Sequence, residues 1–460
     1  MEQFKAFLEV LNSWAWGPVT IILLVGTGLY LTIRLKFIQV RGFPHSINCI
    51  SGKYDNPEEE GDVSHFQALC SALSATIGTG NIAGVATAIA LGGPGAIFWM
   101  WVTAFVGMAT KFTCCTLSLK YRVIHPDGSA SGGPMYYLEK GMKLKWLGVL
   151  FALFGMIASF GIGNMVQANS VVDGLSYAFS DVGESPIKQQ LSFRLGIGIL
   201  IAILVGSVII GGIKRIAKVA SKLVPVMSVA YVLGGLFILL ANYTKVPEAF
   251  SMIINFAFTP YATTGGVLGY VVSNTIRYGV ARGVFSNESG LGSAPIAHAA
   301  AKTREHIREG FVAQLGPFID TIMICTITAL TILVTGAYMT GKTSASLTAH
   351  AFNLGLPGIG HYIVSFGLVT FAFSTMISWS YYGDRCTEYL FGSNAVTPYR
   401  WVYCIFVVLG AAGALTMIWT VSDIMNAFMA APNLIALIGL SGVVSSDLKD
   451  YWSRFQKGEF

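Results

Sequence analysis

The chain has 460 residues, of which 54% are hydrophobic and 11% charged, against roughly 25% charged in soluble domains. Apolar runs of helical length recur from near the N-terminus to near the C-terminus, which excludes a large soluble domain and defines an all-α polytopic membrane protein. The net charge of +6 would suit nucleic acid, but the basic residues sit in short loops between apolar runs, so topology accounts for them and no nucleic-acid partner is expected.

In chain order, about eleven spans are predicted, near 17–36, 66–90, 96–119, 147–178, 193–212, 223–242, 266–299, 311–337, 360–390, 400–420 and 425–444. The first run, Pro18 to Ile33, follows little positive charge and precedes no small-residue cleavage site, so it reads as a retained span. An odd count puts the termini on opposite sides. One set of loops carries Arg34, Lys36, Arg41 and Lys53; Lys120, Arg122, Lys140, Lys143 and Lys145; Lys214, Arg215, Lys218 and Lys222; and Lys302, Arg304 and Arg308. The alternate set has little beyond Lys188, Arg194, Lys245 and Lys342, which places the N-terminus outside and the tail with Lys449, Arg454 and Lys457 in the cytoplasm. Within the first basic loop, Asp55 to Asp62 reads as a solvated turn. Pro247 to Thr259 is too short to cross and reads as a helix on the outer surface. The seven cysteines are scattered and imply neither disulfide nor metal framework.

Two spans are interrupted. From Ser71 to Trp101 an apolar helix breaks at Gly78-Thr79-Gly80-Asn81, resumes through Ala90 and breaks again at Gly92-Gly93-Pro94-Gly95. Between Val271 and Ala300 the run Ser286-Asn287-Glu288-Ser289-Gly290-Leu291-Gly292 does the same. An unwound backbone in hydrocarbon persists only where protein or a polar cavity satisfies it, and half-helix ends offer N–H groups to anions and carbonyls to cations. With the first span set aside, the breaks fall in the first span of each of two five-span sets, 2–6 and 7–11. Five is odd, so the sets insert with opposite orientation, the inverted-repeat plan of secondary transporters with a midplane site. The segments are then 1–63, an extra N-terminal span with its loop; 64–245, the first repeat; 246–262, the surface helix; 263–445, the second repeat; and 446–460, the tail.

Four motifs in order, GTGNIAGVATAIALGGPGAIFWMW at Gly78–Trp101, GGPMYYLEKG at Gly132–Gly141, GIGNMVQAN at Gly161–Asn169 and GVFSNESGLGSAPIAHAAAK at Gly283–Lys302, resemble the alanine/glycine:cation symporter family over essentially the whole chain. The resemblance implies the fold of the bacterial sodium-coupled leucine transporter with one extra helix in front. It implies sodium-coupled uptake of a small neutral amino acid such as alanine or glycine, or of a larger one such as glutamine, with sodium as coupling ion and no other cofactor. A multi-pass place in a prokaryotic cell membrane, among its lipids, follows. Cys114 departs from the acidic residue expected after Lys111, which leaves any ion pair of that position with Lys111 open.

On this resemblance the substrate carboxylate is expected at the N–H groups around Thr79, Gly80 and Asn81, supported by the Thr79 hydroxyl and the Asn81 amide. The ammonium is expected at carbonyls near Phe285 and Ser286 and at the side chains of Asn287 or Glu288. Glu288 has an alternative as a structural pair with Arg282 or Lys111. Gln167, three residues after Asn164 on span 4, is either a ligand contact or an interhelical hydrogen bond. By analogy with the related fold, sodium lies between spans 2 and 9 at Ser74, Ile77, Phe371, Ser374 and Thr375; the alternative is that the hydroxyls bond back to their own helix. Trp379, one turn beyond Thr375, is expected to close the side-chain end of the pocket together with Met165. Asp320 offers a second ion site, a proton relay or a pair with an arginine. No H-E-x-x-H or G-x-S-x-G pattern appears, so no enzyme is expected.

Overall fold

The computed structural model of the chain describes residues 2–126, 128–179, 190–259, 268–413 and 416–459. Among them nine helices are long and apolar enough to cross a membrane, and the pair His65–Thr76 and Gly80–Gly92, bent by 52°, makes a tenth. The place of the remaining predicted span is taken by Leu268–Asn287 and Ala294–His298, a helix that Asn274, Arg277 and Arg282 make too polar to stand out by hydropathy. Lys188, the start of span 7 near Gly266, and the 262/263 boundary lie outside the described residues.

Span 1 is Pro18–Arg34, preceded by an unpredicted helix Glu2–Ala15. Span 2 is the bent pair, and span 3 is Ala96–Lys120. Span 4 runs from Lys145–Phe160 through the wide turn Gly161–Met165 into Val166–Phe179. Spans 5 and 6 are Leu191–Ile209 and Gly212–Ala241. After the polar seventh span, span 8 begins at His306–Ala313 and continues through the wide turn Phe318–Cys325 to Thr326–Val334. Span 9 is Gly360–Phe391, span 10 Val396–Ala412 and span 11 Thr416–Gln456, which continues about three turns past its predicted end.

The packing has the symmetry expected of a repeat. Broken spans 2 and 7 touch, and so do the second spans of the two sets (3 and 8), the third (4 and 9) and the fourth (5 and 10). Span 1 lies outside this core against spans 3 and 11. Pairing of equivalent spans about one centre brings both helix breaks to the middle of the molecule, where Ile77, Asn81, Asn287 and Asp320 are all fully buried.

One reading of the loops needs correction. Asp55 to Asp62 is not simply solvated: Asp62 accepts the Ala130 N–H at 3.0 Å and lies 3.7 Å from Lys214, while Glu59 accepts the Arg304 N–H at 2.6 Å. Val63 forms a parallel bridge to Ala301, so the chain entering span 2 is stitched to the chain leaving span 7. The segment after span 6 is the helix Val246–Asn255, which buries Ala249 and Ile253; the carbonyl of Ala257, just beyond it, receives the Trp99 indole N–H at 3.0 Å.

Candidate substrate and ion site

The first half of span 2 starts on a capping box, Ser64 with Gln67, and ends at Ile77, whose ψ of 90° is extended. Gly78 N–H has left the helix and is taken by Asn81 Oδ1 at 2.9 Å. Glycine at 80 is a matter of approach: a Cβ there would stand 3.1 Å from Ser286 Cα of span 7. Span 7 unwinds at the same depth. Glu288 is left-handed at φ 55°, a costly conformation for a side-chain-bearing residue, and Gly290 and Gly292 continue the positive run at 89° and 90°. Asn287 ties the turn, accepting the Ser289 N–H at 3.0 Å and donating to Thr321 Oγ1 of span 8 at 3.1 Å.

Between spans 2 and 9 the structure brings together four of the five residues expected at sodium. Ser374 Oγ lies 3.2 Å from the Ser74 carbonyl and 2.9 Å from that of Phe371; Thr375 Oγ1 lies 3.0 Å from the Phe371 carbonyl and 3.4 Å from that of Ala75. Ser74 Oγ returns a hydrogen bond to the Ser374 carbonyl at 2.7 Å. The two alternatives for these hydroxyls therefore coexist: each bonds back to its own helix and also reaches across to span 2. Ala75 joins the set without having been foreseen, and Ile77 is buried at the break with no bond to span 9. Uncharged oxygens from hydroxyls and carbonyls suit a hard monovalent cation.

Asp320 has no arginine partner among the described residues. Its carboxylate, fully buried, receives the Asn81 amide at 2.7 Å, the Ser286 hydroxyl at 2.8 Å and the Thr321 hydroxyl at 2.7 Å, and so ties spans 2, 7 and 8 together. Asn81 is thereby spent: its nitrogen goes to Asp320 and its oxygen to Gly78, in place of the support expected for a substrate carboxylate. Thr79, at 4% exposure, precedes the wide turn Gly80–Gly84 without a side-chain hydrogen bond to it.

Glu288 makes no ion pair with Arg282 or Lys111; its two oxygens accept the Trp379 indole N–H at 2.9 Å and the Ser293 hydroxyl at 2.6 Å. Arg282 instead stands over the Phe285 ring, 5.8 Å from its centroid. Trp379 packs flush against span 4, where a Cβ on Gly163 would stand 2.2 Å from its own Cβ. Met165 sets its backbone against Gly410 of span 10. Lys111 is buried, and beside it Cys114 donates to the Lys111 carbonyl at 3.4 Å.

Asn164 and Gln167 reach different neighbours, because the wide turn Gly161–Met165 shifts the helical register between them. Asn164 donates to the Tyr403 carbonyl of span 10 at 2.8 Å. Gln167 donates to the Ile162 carbonyl at 3.0 Å, and its Oε1 is buried without a partner, 3.8 Å from where a Cβ of Gly78 would stand. A buried amide carbonyl in that position can accept a hydrogen bond from a donor placed beside the unwound backbone.

Sequence reasoning missed the contact between the start of span 2 and the end of span 7. His65 at the start of span 2 and His298 at the end of span 7 both bond Glu309 of span 8, the latter at 2.6 Å, and all three are buried. Arg122 donates to the carbonyls of Ala299 and Ala301 alongside. The signal was three ionisable residues at the ends of three predicted spans, but ends of spans ordinarily carry solvated charge.

A family model described as the sodium:alanine symporter family matches residues 1–460. An uncharacterized transporter of Haemophilus influenzae is 49% identical over 98% of this chain and 97% of its own. The sodium/alanine symporter AgcS of Methanococcus maripaludis is 48% identical over 99% of both chains, and a probable sodium/glutamine symporter, GlnT, of Bacillus subtilis is 37% identical over 98% and 91%. Among solved structures, MhsT in complex with L-phenylalanine superimposes with a TM-score of 0.59 at 12% identity, over 83% of this chain and 89% of that one, which establishes a shared fold.

Proposed function

The chain belongs to the sodium:alanine symporter family, and from that premise we propose that it carries a small neutral amino acid, alanine or glycine, inward with sodium by alternating access. It is a carrier and not an enzyme. The observation that carries the substrate reading is the meeting of the two helix breaks, Gly80 against Ser286, with the buried, unpartnered amide oxygen Gln167 Oε1 beside Gly78 of the span 2 break. In the proposed complex the N–H groups at Thr79 and Gly80 receive the carboxylate. Gln167 Oε1 and the carbonyls near Phe285 and Ser286 receive the ammonium. Asn287 holds the span 7 turn open, and Glu288 orients Trp379 across the side-chain end. Sodium takes Ser74, Ala75, Phe371, Ser374 and Thr375, with the Ile77 carbonyl at the same break.

A glutamine preference is the second reading, favoured by the 37% identical relative, whereas the 48% identical one favours alanine. Uptake into proteoliposomes under an imposed sodium gradient, with alanine, glycine and glutamine each labelled, decides between them. Alanine or glycine uptake that collapses without sodium supports the proposal; uptake of none of the three, or uptake indifferent to sodium, overturns it. We also propose that the N-terminus faces outward and the C-terminus the cytoplasm, supported by the loop charge bias. A cysteine at Glu2 should react with an impermeant reagent on intact cells and one at Lys457 should not; the reverse pattern would sink the orientation.

A further inference from the structure

Between spans 4, 5, 6 and 9 the surface opens into a groove of about 800 Å³ that plays no part in the site just described. Arg215, Lys218 and Lys222 line it, spaced by three and four residues so that they share a face of span 6. All three are exposed, and none forms an ion pair among the described residues; Lys214, by contrast, turns to Asp62 at 3.7 Å. Arg215 folds back along its helix over Gly211, where a Cβ would stand 2.4 Å from its Cδ. Three uncompensated cations within two turns repel one another and call for an anion.

Apart from Thr370, whose hydroxyl donates to the Phe366 carbonyl at 2.7 Å, the rest of the lining is apolar. Ile201 and Leu204 come from span 5, Leu223 and Val226 from span 6, and Val369 and Phe373 from span 9. Leu204 and Val226 are exposed, so the groove opens sideways where span helices meet lipid. Val369 and Phe373 lie on the face of span 9 turned away from Phe371, Ser374 and Thr375, so an occupant would pack on the back of that segment.

We propose that this groove binds one anionic phospholipid, its phosphate among Arg215, Lys218 and Lys222 and an acyl chain along Ile201, Leu204, Val226 and Phe373. A soluble anion would have no use for the apolar wall, and a zwitterionic lipid would bring its own cation towards three others. The assignment stands whichever amino acid is transported.

The test is native mass spectrometry of the full-length transporter, delipidated and exposed to equal amounts of phosphatidylglycerol and phosphatidylcholine with identical chains. The wild type should retain phosphatidylglycerol in preference. Each of R215Q, K218Q and K222Q should weaken it about fivefold, and the triple variant about a hundredfold. Ile201→Trp, which fills the apolar wall and leaves the cations intact, should also weaken retention. Glycerol phosphate, which has the anion without the chains, should not displace the lipid. Equal retention of the two lipids by the wild type, unchanged preference in the triple variant, or displacement by glycerol phosphate would each overturn the proposal.

Discussion

Trp379 offers the sharpest test of the proposed pocket, because its indole does two separable things. The ring fills space against Gly163, and the N–H donates to Glu288 Oε1 at 2.9 Å. A hydrogen bond to a buried carboxylate is worth about 1.5–3 kcal/mol, whereas removing a large buried ring costs about 3–5 kcal/mol of stability. Trp379→Phe loses the N–H but keeps most of the volume; Trp379→Ala loses both. Each additional methylene admitted to an apolar pocket is worth about 1–3 kcal/mol. Trp379→Ala should therefore shift preference from alanine towards larger neutral amino acids by roughly ten- to two-hundredfold. Trp379→Phe should weaken alanine without reordering the sizes. Competition against labelled alanine by unlabelled amino acids of increasing size, on wild type and both variants in proteoliposomes, measures this, with thermal unfolding in detergent reporting the stability loss. If Trp379→Ala is folded and ranks substrates by size as the wild type does, Trp379 is packing. If Trp379→Phe reorders them as strongly as Trp379→Ala, the bond to Glu288 rather than ring volume sets the selection.

Thr375→Ala removes one oxygen from the set facing span 2 and should raise the sodium concentration for half-maximal uptake about tenfold, a loss of roughly 1.4 kcal/mol; an unchanged sodium dependence would place the ion elsewhere. Asp320→Asn turns an NH2 group against donors from Asn81, Ser286 or Thr321 and should lower the unfolding temperature and abolish sodium-driven uptake, so a variant with wild-type transport would remove Asp320 from the coupling machinery. Glu309→Gln loosens the tie between His65 and His298 and should speed the reaction of buried Cys70 with thiol reagents in a background lacking the other cysteines; a rate equal to that of the parent means the tie does not hold these ends of spans 2 and 7 together.

The apolar spans and the position of both breaks were legible in the chain because hydrophobic length and glycine-dense interruption are local properties. Ser74, Phe371, Ser374 and Thr375 could be grouped before any coordinates, since a repeat plan with an analogous fold predicts which spans face each other. Partner choice inside that plan was not local. Whether Asn81 serves a ligand or Asp320, whether Glu288 meets Lys111 or Trp379, and whether His65 and His298 share one carboxylate depend on contacts between residues from about ten to about 240 positions apart. The wide turns at Gly161–Met165 and Phe318–Cys325 added a shift of register that helical spacing cannot anticipate. Sequence alone thus determined that two unwound helices meet in the membrane. Only the tertiary structure decided which buried donors and acceptors satisfy one another there, because a buried polar group bonds whatever neighbour the packing provides, and it left Gln167 Oε1 unpartnered beside the span 2 break.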